Sequence, residues 1–203
     1  MNNTKPVRKL TSREKERLLE AAEELHKNDP AYRRRSNLDF IIYLVIMLIV
    51  VFSLRQYVGE PIMVDGPSMD YTLASGERML VEKVTYLVKE PARGDIVICY
   101  YPGYDVSCVK RVIGLPGDIV EIRGGLTYVN GELLDESEWT AEDYMWYDHS
   151  GVIVPKDHVF VMGDNRNYSK DSRDFTVGCI PYERIVGRAI AVIWPFSNFR
   201  SLT

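Results

Sequence analysis

The sequence predicts a mainly β globular domain behind an N-terminal helix and a single apolar helix. Three observations carry this. One run, Phe40 to Leu54, is fifteen residues without a charge. After residue 60 the chain becomes short runs rich in Val, Ile, Tyr and Phe, separated by Gly, Pro and Asn, which is the pattern of short strands and turns. No amphipathic helix of ten residues interrupts those runs, so the sheets are expected to be antiparallel and coiled.

The head, residues 1–37, is basic. It carries ten Lys/Arg against six Asp/Glu, whereas the rest of the 203-residue chain carries fifteen against twenty-three, for a net charge of −4. Such a division suits a head lying on an anionic surface and excludes nucleic acid as partner of the larger, acidic part. A helix is expected in the head. Thr11 and Glu14 form a capping box, Leu18, Leu19, Ala22 and Leu25 make an apolar stripe, and Asn28-Asp29-Pro30 stops it.

The apolar run is expected to extend over 38–58 as a transmembrane helix, since a span needs about 20 residues. It is apolar on every face, unlike a buried amphipathic helix. A cleaved leader would want small residues after the run, and Arg55-Gln56-Tyr57 stands there instead. Arg33-Arg34-Arg35 before the run place the head in the cytoplasm and residues 59–203 outside.

Ten strands are expected in the outer domain, over 62–64, 79–84, 95–101, 107–115, 118–123, 126–129, 132–134, 152–154, 158–162 and 185–194. Asn130-Gly131 between two of them calls for a type I′ hairpin turn. Trp139 to His149 reads as a surface excursion. Of the three cysteines, Cys99 and Cys108 are spaced to face each other across a hairpin. Small buried thiols are the plainer reading, and no Cys or His spacing suggests zinc.

Asp65-Gly66-Pro67-Ser68-Met69 follows the apolar run by about ten residues. If Ser68 is a nucleophile, another residue must take its proton. His26 lies on the wrong side of the expected span, His149 is in the excursion and His158 opens a strand, and nothing around them supports a Ser-His-Asp arrangement. Lysine is the other option. In Val109-Lys110-Arg111-Val112, alternation puts Lys110 on one strand face with Cys108 and Val112, and Arg111 on the other. One of these charges shares a side with small apolar neighbours, where lost hydration disfavours the charged form. A strand lysine with its head in water is the competing reading.

Four ordered segments carry a resemblance. They are Gly66-Pro67-Ser68-Met69 with Thr72-Leu73; Arg93-Gly94-Asp95-Ile96-Val97; Val109 to Asp118, VKRVIGLPGD; and Met162-Gly163-Asp164-Asn165-Arg166 continuing to Ser169 and Asp171-Ser172-Arg173. Behind an apolar run they resemble type I signal peptidases, the Ser/Lys membrane peptidases of the short Gram-positive form. The resemblance implies Ser68 as nucleophile and Lys110 as general base. It implies Ser169 as the serine that bonds and orients the lysine, Asp171 and Arg173 as an ion pair behind the site, and Asp164 and Asn165 as loop-fixing residues. It implies no metal or cofactor. The implied substrates are signal peptides of exported preproteins, cut after Ala-x-Ala. The implied neighbours are the lipid bilayer and the secretion translocon, at the bacterial plasma membrane. The peptide is expected to pair with a strand edge at 60–64 or around 81–84. Two departures stand out. Gly66 occupies the position where Gram-negative members have an oxyanion-binding serine, and Tyr71 stands where the family usually has proline.

Overall fold

The computed structural model describes residues 11–28, 30–53, 59–103, 106–141 and 144–202. The chain divides into two compact units, residues 1–52 and 53–203. In the first, α1 (Ser12–Asn28) begins with the expected capping box. The Thr11 amide donates to Glu14 Oε2 at 2.9 Å and the Glu14 amide to Thr11 Oγ1 at 3.4 Å. The second helix, α2 (Pro30–Ser53), starts earlier than the expected span because Pro30 suits a first helical turn, where its missing N–H costs nothing. Its apolar side chains from Leu38 to Phe52 are exposed. Among the described residues no helix is long and apolar enough to cross a membrane. The last five residues of the expected span, 54–58, lie outside the described residues.

Among its described residues the second unit holds strands, turns and short 3₁₀ helices, with no α-helix of its own. Its larger sheet runs β1 (Glu60–Met63), β2 (Arg78–Glu82), β11 (Ile185–Trp194), β3 (Ile96–Tyr100), β4 (Ser107–Gly114), β9 (His158–Met162) and β10 (Ile180–Pro181), with β12 (Arg200–Ser201) also pairing β11. The smaller sheet runs β7 (Glu132–Leu133), β6 (Leu126–Val129), β5 (Ile119–Arg123) and β8 (His149–Ile153). Every pairing is antiparallel. All ten expected strands are present. The two that were not expected, β10 and β12, are two residues long, too short to show a period. Asn130 and Gly131 both have positive φ, 55° and 82°, as a type I′ turn requires.

Two expectations fail here. The stretch around 81–84 is no sheet edge, because β2 is flanked by β1 and by β11, with Val81 opposite both Glu60 and Ala189. The segment 139–149 is not wholly a surface excursion. Met145 is buried with Ile113, Ile122 and Phe160, and Trp139 packs against the same cluster, while Tyr144, Trp146 and Tyr147 remain exposed. Burying one large apolar side chain stabilises by about 1.5–3 kcal/mol, which holds the segment down at those two points.

Candidate active site

Ser68 sits in a turn between β1 and β2. Its neighbours Met69 and Leu73 are fully buried in a cluster with Val64, Met79, Ile96 and Val192. Backbone bonds close the turn, from the Asp70 amide to the Pro67 carbonyl at 3.0 Å and from the Leu73 amide to the Met69 carbonyl at 2.8 Å. Gly66 has φ +87°, a left-handed conformation that glycine adopts without strain.

Tyr71 has φ 94°, which is costly for a bulky residue. Proline, fixed near −65°, cannot occupy this backbone, so the turn here differs from one built on proline at that position. Tyr71→Pro is expected to lower stability by at least ~1 kcal/mol in urea melts, whereas Tyr71→Gly leaves it equal or higher.

Lys110 lies on β4 and is 2% exposed. Its Nζ is 2.7 Å from Ser68 Oγ and 2.8 Å from the Val109 carbonyl. Burial pushes the amine's pKa below its ordinary value of 10.5, against the opposing pull of Cys108, Asp171, Cys99 and Asp164. The alternation read from sequence holds, but both charges of the Lys110-Arg111 pair are buried, one on each face. Lys110 shares its face with Val97, Cys99 and Val112, while Arg111, 6% exposed, turns the other way.

Arg111 is held by Asp164, which is fully buried. Arg111 Nε donates to Asp164 Oδ1 at 2.8 Å and Nη2 to Oδ2 at 2.6 Å. The Thr72 hydroxyl donates to the same Oδ2 at 2.5 Å. The indole of Trp139 lies against the Arg111 guanidinium, 5.1 Å from it. Asp164 thus ties β4 to the Ser68 turn, a larger role than fixing its own loop. Asn165 holds the turn directly. Its side-chain amide donates to the Pro67 carbonyl at 3.0 Å, and its backbone N–H to the Ser68 carbonyl at 3.2 Å.

Asp171 and Arg173 form the expected ion pair, two bonds of 2.7 Å with both residues buried. Asp171 Oδ2 also accepts the Gly163 amide at 2.9 Å. Ser169 differs from expectation. Its hydroxyl is buried without a hydrogen-bond partner, and the bonds of Lys110 Nζ go to Ser68 and Val109. Ser169 instead packs on Gly163, where an added Cβ would stand 2.3 Å from both Ser169 Oγ and the Ser68 carbonyl oxygen. Only a glycine lets those two residues approach so closely.

A second clamp comes from the C-terminus. Arg200 Nη2 donates to the Thr72 carbonyl at 2.6 Å and to Glu77 Oε2 at 2.6 Å. The Arg200 hydrogen bond, joined by Asn198 and the Ala74 amide, lowers the Glu77 pKa to about 2. Neither residue stood out in the sequence, since 123 positions separate them. His158 Nδ1 is 2.7 Å from the Lys156 carbonyl, away from Ser68's partners. Among the described residues no group of His, Cys, Asp and Glu could hold a metal ion.

A hydroxyl in contact with a desolvated amine is chemically able to serve as a nucleophile whose proton the amine accepts. Comparison with known proteins agrees with this chemistry. Residues 37–194 match the family described as signal peptidase, peptidase S26. Signal peptidase I S of Bacillus subtilis (strain 168) is 36% identical, over 86% of this chain and 98% of its own. Signal peptidase IB of Staphylococcus aureus (strain COL) is 33% identical, over 82% of this chain and 94% of its own. The crystal structure of a signal peptidase I from Enterococcus faecalis V583 is 31% identical, covers 50% of this chain and 97% of that one, and has a TM-score of 0.42. The chain belongs to the signal peptidase family, peptidase S26, and is a serine peptidase of the type I signal peptidase kind.

Proposed function

We propose that this chain removes signal peptides from exported preproteins by a Ser68/Lys110 dyad, cutting after an Ala-x-Ala site at the outer face of the bacterial plasma membrane. The observation that carries the reading is the 2.7 Å contact between Ser68 Oγ and the buried Lys110 Nζ. Neutral Lys110 takes the Ser68 proton as Oγ attacks the scissile carbonyl, and the Ser68 backbone N–H, which has no partner among the described residues, donates to the oxyanion. The ammonium then protonates the leaving amine. The Lys110 amine next activates water, which hydrolyses the acyl-enzyme and frees Ser68.

Ser169 packs the loop behind the nucleophile, Asp171 and Arg173 brace it, and Asp164 and Asn165 hold the Ser68 turn. The peptide before the cleavage site pairs with the outer edge of β1, whose other edge is taken by β2, and main-chain bonds there are blind to sequence. Small pockets beside it admit alanine and reject larger side chains. The apolar run from Phe40 to Leu54 anchors the chain in the lipid bilayer with the basic head in the cytoplasm, in reach of the secretion translocon.

The test is cleavage of a purified Ala-x-Ala preprotein in detergent, read by mass spectrometry. Wild type is expected to cut after the second alanine and Ser68→Ala to be silent. A folded wild type that binds the preprotein without cutting it would make this a peptide-binding domain instead.

A further inference from the structure

Cys99 on β3 and Cys108 on β4 are directly opposite in the antiparallel ladder. Their sulfurs are 3.6 Å apart, and the Cys108 thiol lies 3.3 Å from the Cys99 carbonyl, to which it donates. Residues so paired have Cα atoms about 4.5–5.5 Å apart, inside the range of about 4.4–6.8 Å that a disulfide spans. Closing the bond therefore asks the sulfurs to approach to ~2.05 Å and asks nothing of the backbone. Cys108 is partly exposed, Cys99 is fully buried, and both are free thiols. Lys110 lies two positions beyond Cys108 on the same strand face, opposite Val97.

We propose that Cys99 and Cys108 are a thiol–disulfide site beside Lys110, which a disulfide oxidant closes into a cross-strand bridge that changes the charge environment of that amine. Burial dictates the order of steps. The accessible Cys108, as thiolate, attacks one sulfur of the oxidant and displaces the other as a thiolate. Cys99, as thiolate, then attacks Cys108 Sγ, forms the bridge and releases the second half of the oxidant. One S–S bond forms and one breaks. The cysteines lose two electrons and two protons, and the oxidant leaves as two thiols. The hydrogen bond from Cys99 favours this order, since it holds the Cys108 thiol below the ordinary thiol range while Cys99 is pushed up.

The consequence for Lys110 follows from what faces it. Ser68 and the Val109 carbonyl bond its Nζ, and Cys108, Asp171, Cys99 and Asp164 favour its charged form against burial. Cys99, pushed up, is a neutral thiol; a disulfide carries no charge, so the bridge removes the negative charge that Cys108, the thiol held below the ordinary range, can place beside Lys110, and leaves the two aspartates. Burial then dominates further, and the amine stays neutral down to lower pH.

The effect on cleavage rests on Lys110 being the base, so the test reads Lys110 directly. Full-length chain in detergent is equilibrated with oxidised or reduced glutathione and mapped by mass spectrometry. The titration of lysine side-chain carbons is followed by carbon-13 NMR, with Lys110→Met supplying the assignment. The expected result is a Cys99–Cys108 crosslink, reversed by dithiothreitol, and a Lys110 midpoint at lower pH in the oxidised protein. The shift should persist in Ser68→Ala and be absent in Cys99→Ala/Cys108→Ala. Thiols that remain open to alkylation after oxidation, a glutathione adduct on Cys108 without a crosslink, or a crosslink that leaves the midpoint in place would each overturn the proposal. Failure of Ser68→Ala to abolish cleavage would instead count against the Ser/Lys reading, and it would leave this result standing.

Discussion

Lys110→Met is expected to lower kcat for preprotein cleavage by about 10²–10⁴-fold, the share a positioned general base contributes. Lys110→Arg should not rescue it, because a guanidinium keeps its proton at any working pH. The same substitution is expected to leave folding stability at neutral pH equal to wild type or above it. Lys110 is buried, and burial holds its pKa below 10.5. In the pH range between the folded and unfolded values the unfolded chain binds the extra proton, so stability rises with pH through that window. Below the folded value the amine is charged in both states, and the folded state bears its full desolvation cost. Methionine removes that cost. Activity lost while the urea midpoint holds or rises would mark Lys110 as a functional group. A parallel loss of both would mark it as structural and sink the reading. In wild type the acid limb of the rate profile should lie below the ordinary lysine range, with activity rising as pH rises.

Asp164→Ala is expected to cost about 3–5 kcal/mol in chemical denaturation, since it leaves the buried Arg111 guanidinium uncompensated. It also releases the Thr72 hydroxyl, so cleavage should fall by more than the folded fraction does. The double variant Arg111→Met/Asp164→Leu separates these effects. Replacing both charges with apolar groups of similar size should restore most of the stability. It cannot restore the bond from Thr72 to Asp164 Oδ2, and activity should stay low. Full activity in that variant would show that the Thr72 anchor contributes nothing to the site.

Much of this was legible in the sequence because it is local. Strand period, Gly and Pro punctuation and the Asn130-Gly131 turn depend on neighbours a few residues apart, and the ten expected strands are found within a few residues of their predicted ends. The pairing of Ser68 with Lys110 came from motif order rather than from any period. What could not be read was long-range. No pattern links Arg111 to Asp164 across 53 positions, or says that both charges of Lys110-Arg111 will be buried. Trp139 and Met145 looked like surface because the residues around them are polar. β2 looked like an edge because its neighbour β11 arrives more than a hundred residues later. The positive φ of Tyr71 has no signature in a tyrosine.

The bond from Arg200 to the Thr72 carbonyl bears on the order in which the Ser68 turn is assembled during folding. The two partners stand 128 positions apart in the chain. Contacts of such separation form late, after the entropy of closing a long loop has been met. The Ser68 turn is therefore completed late in folding, once β12 has paired with β11 and brought Arg200 to Thr72.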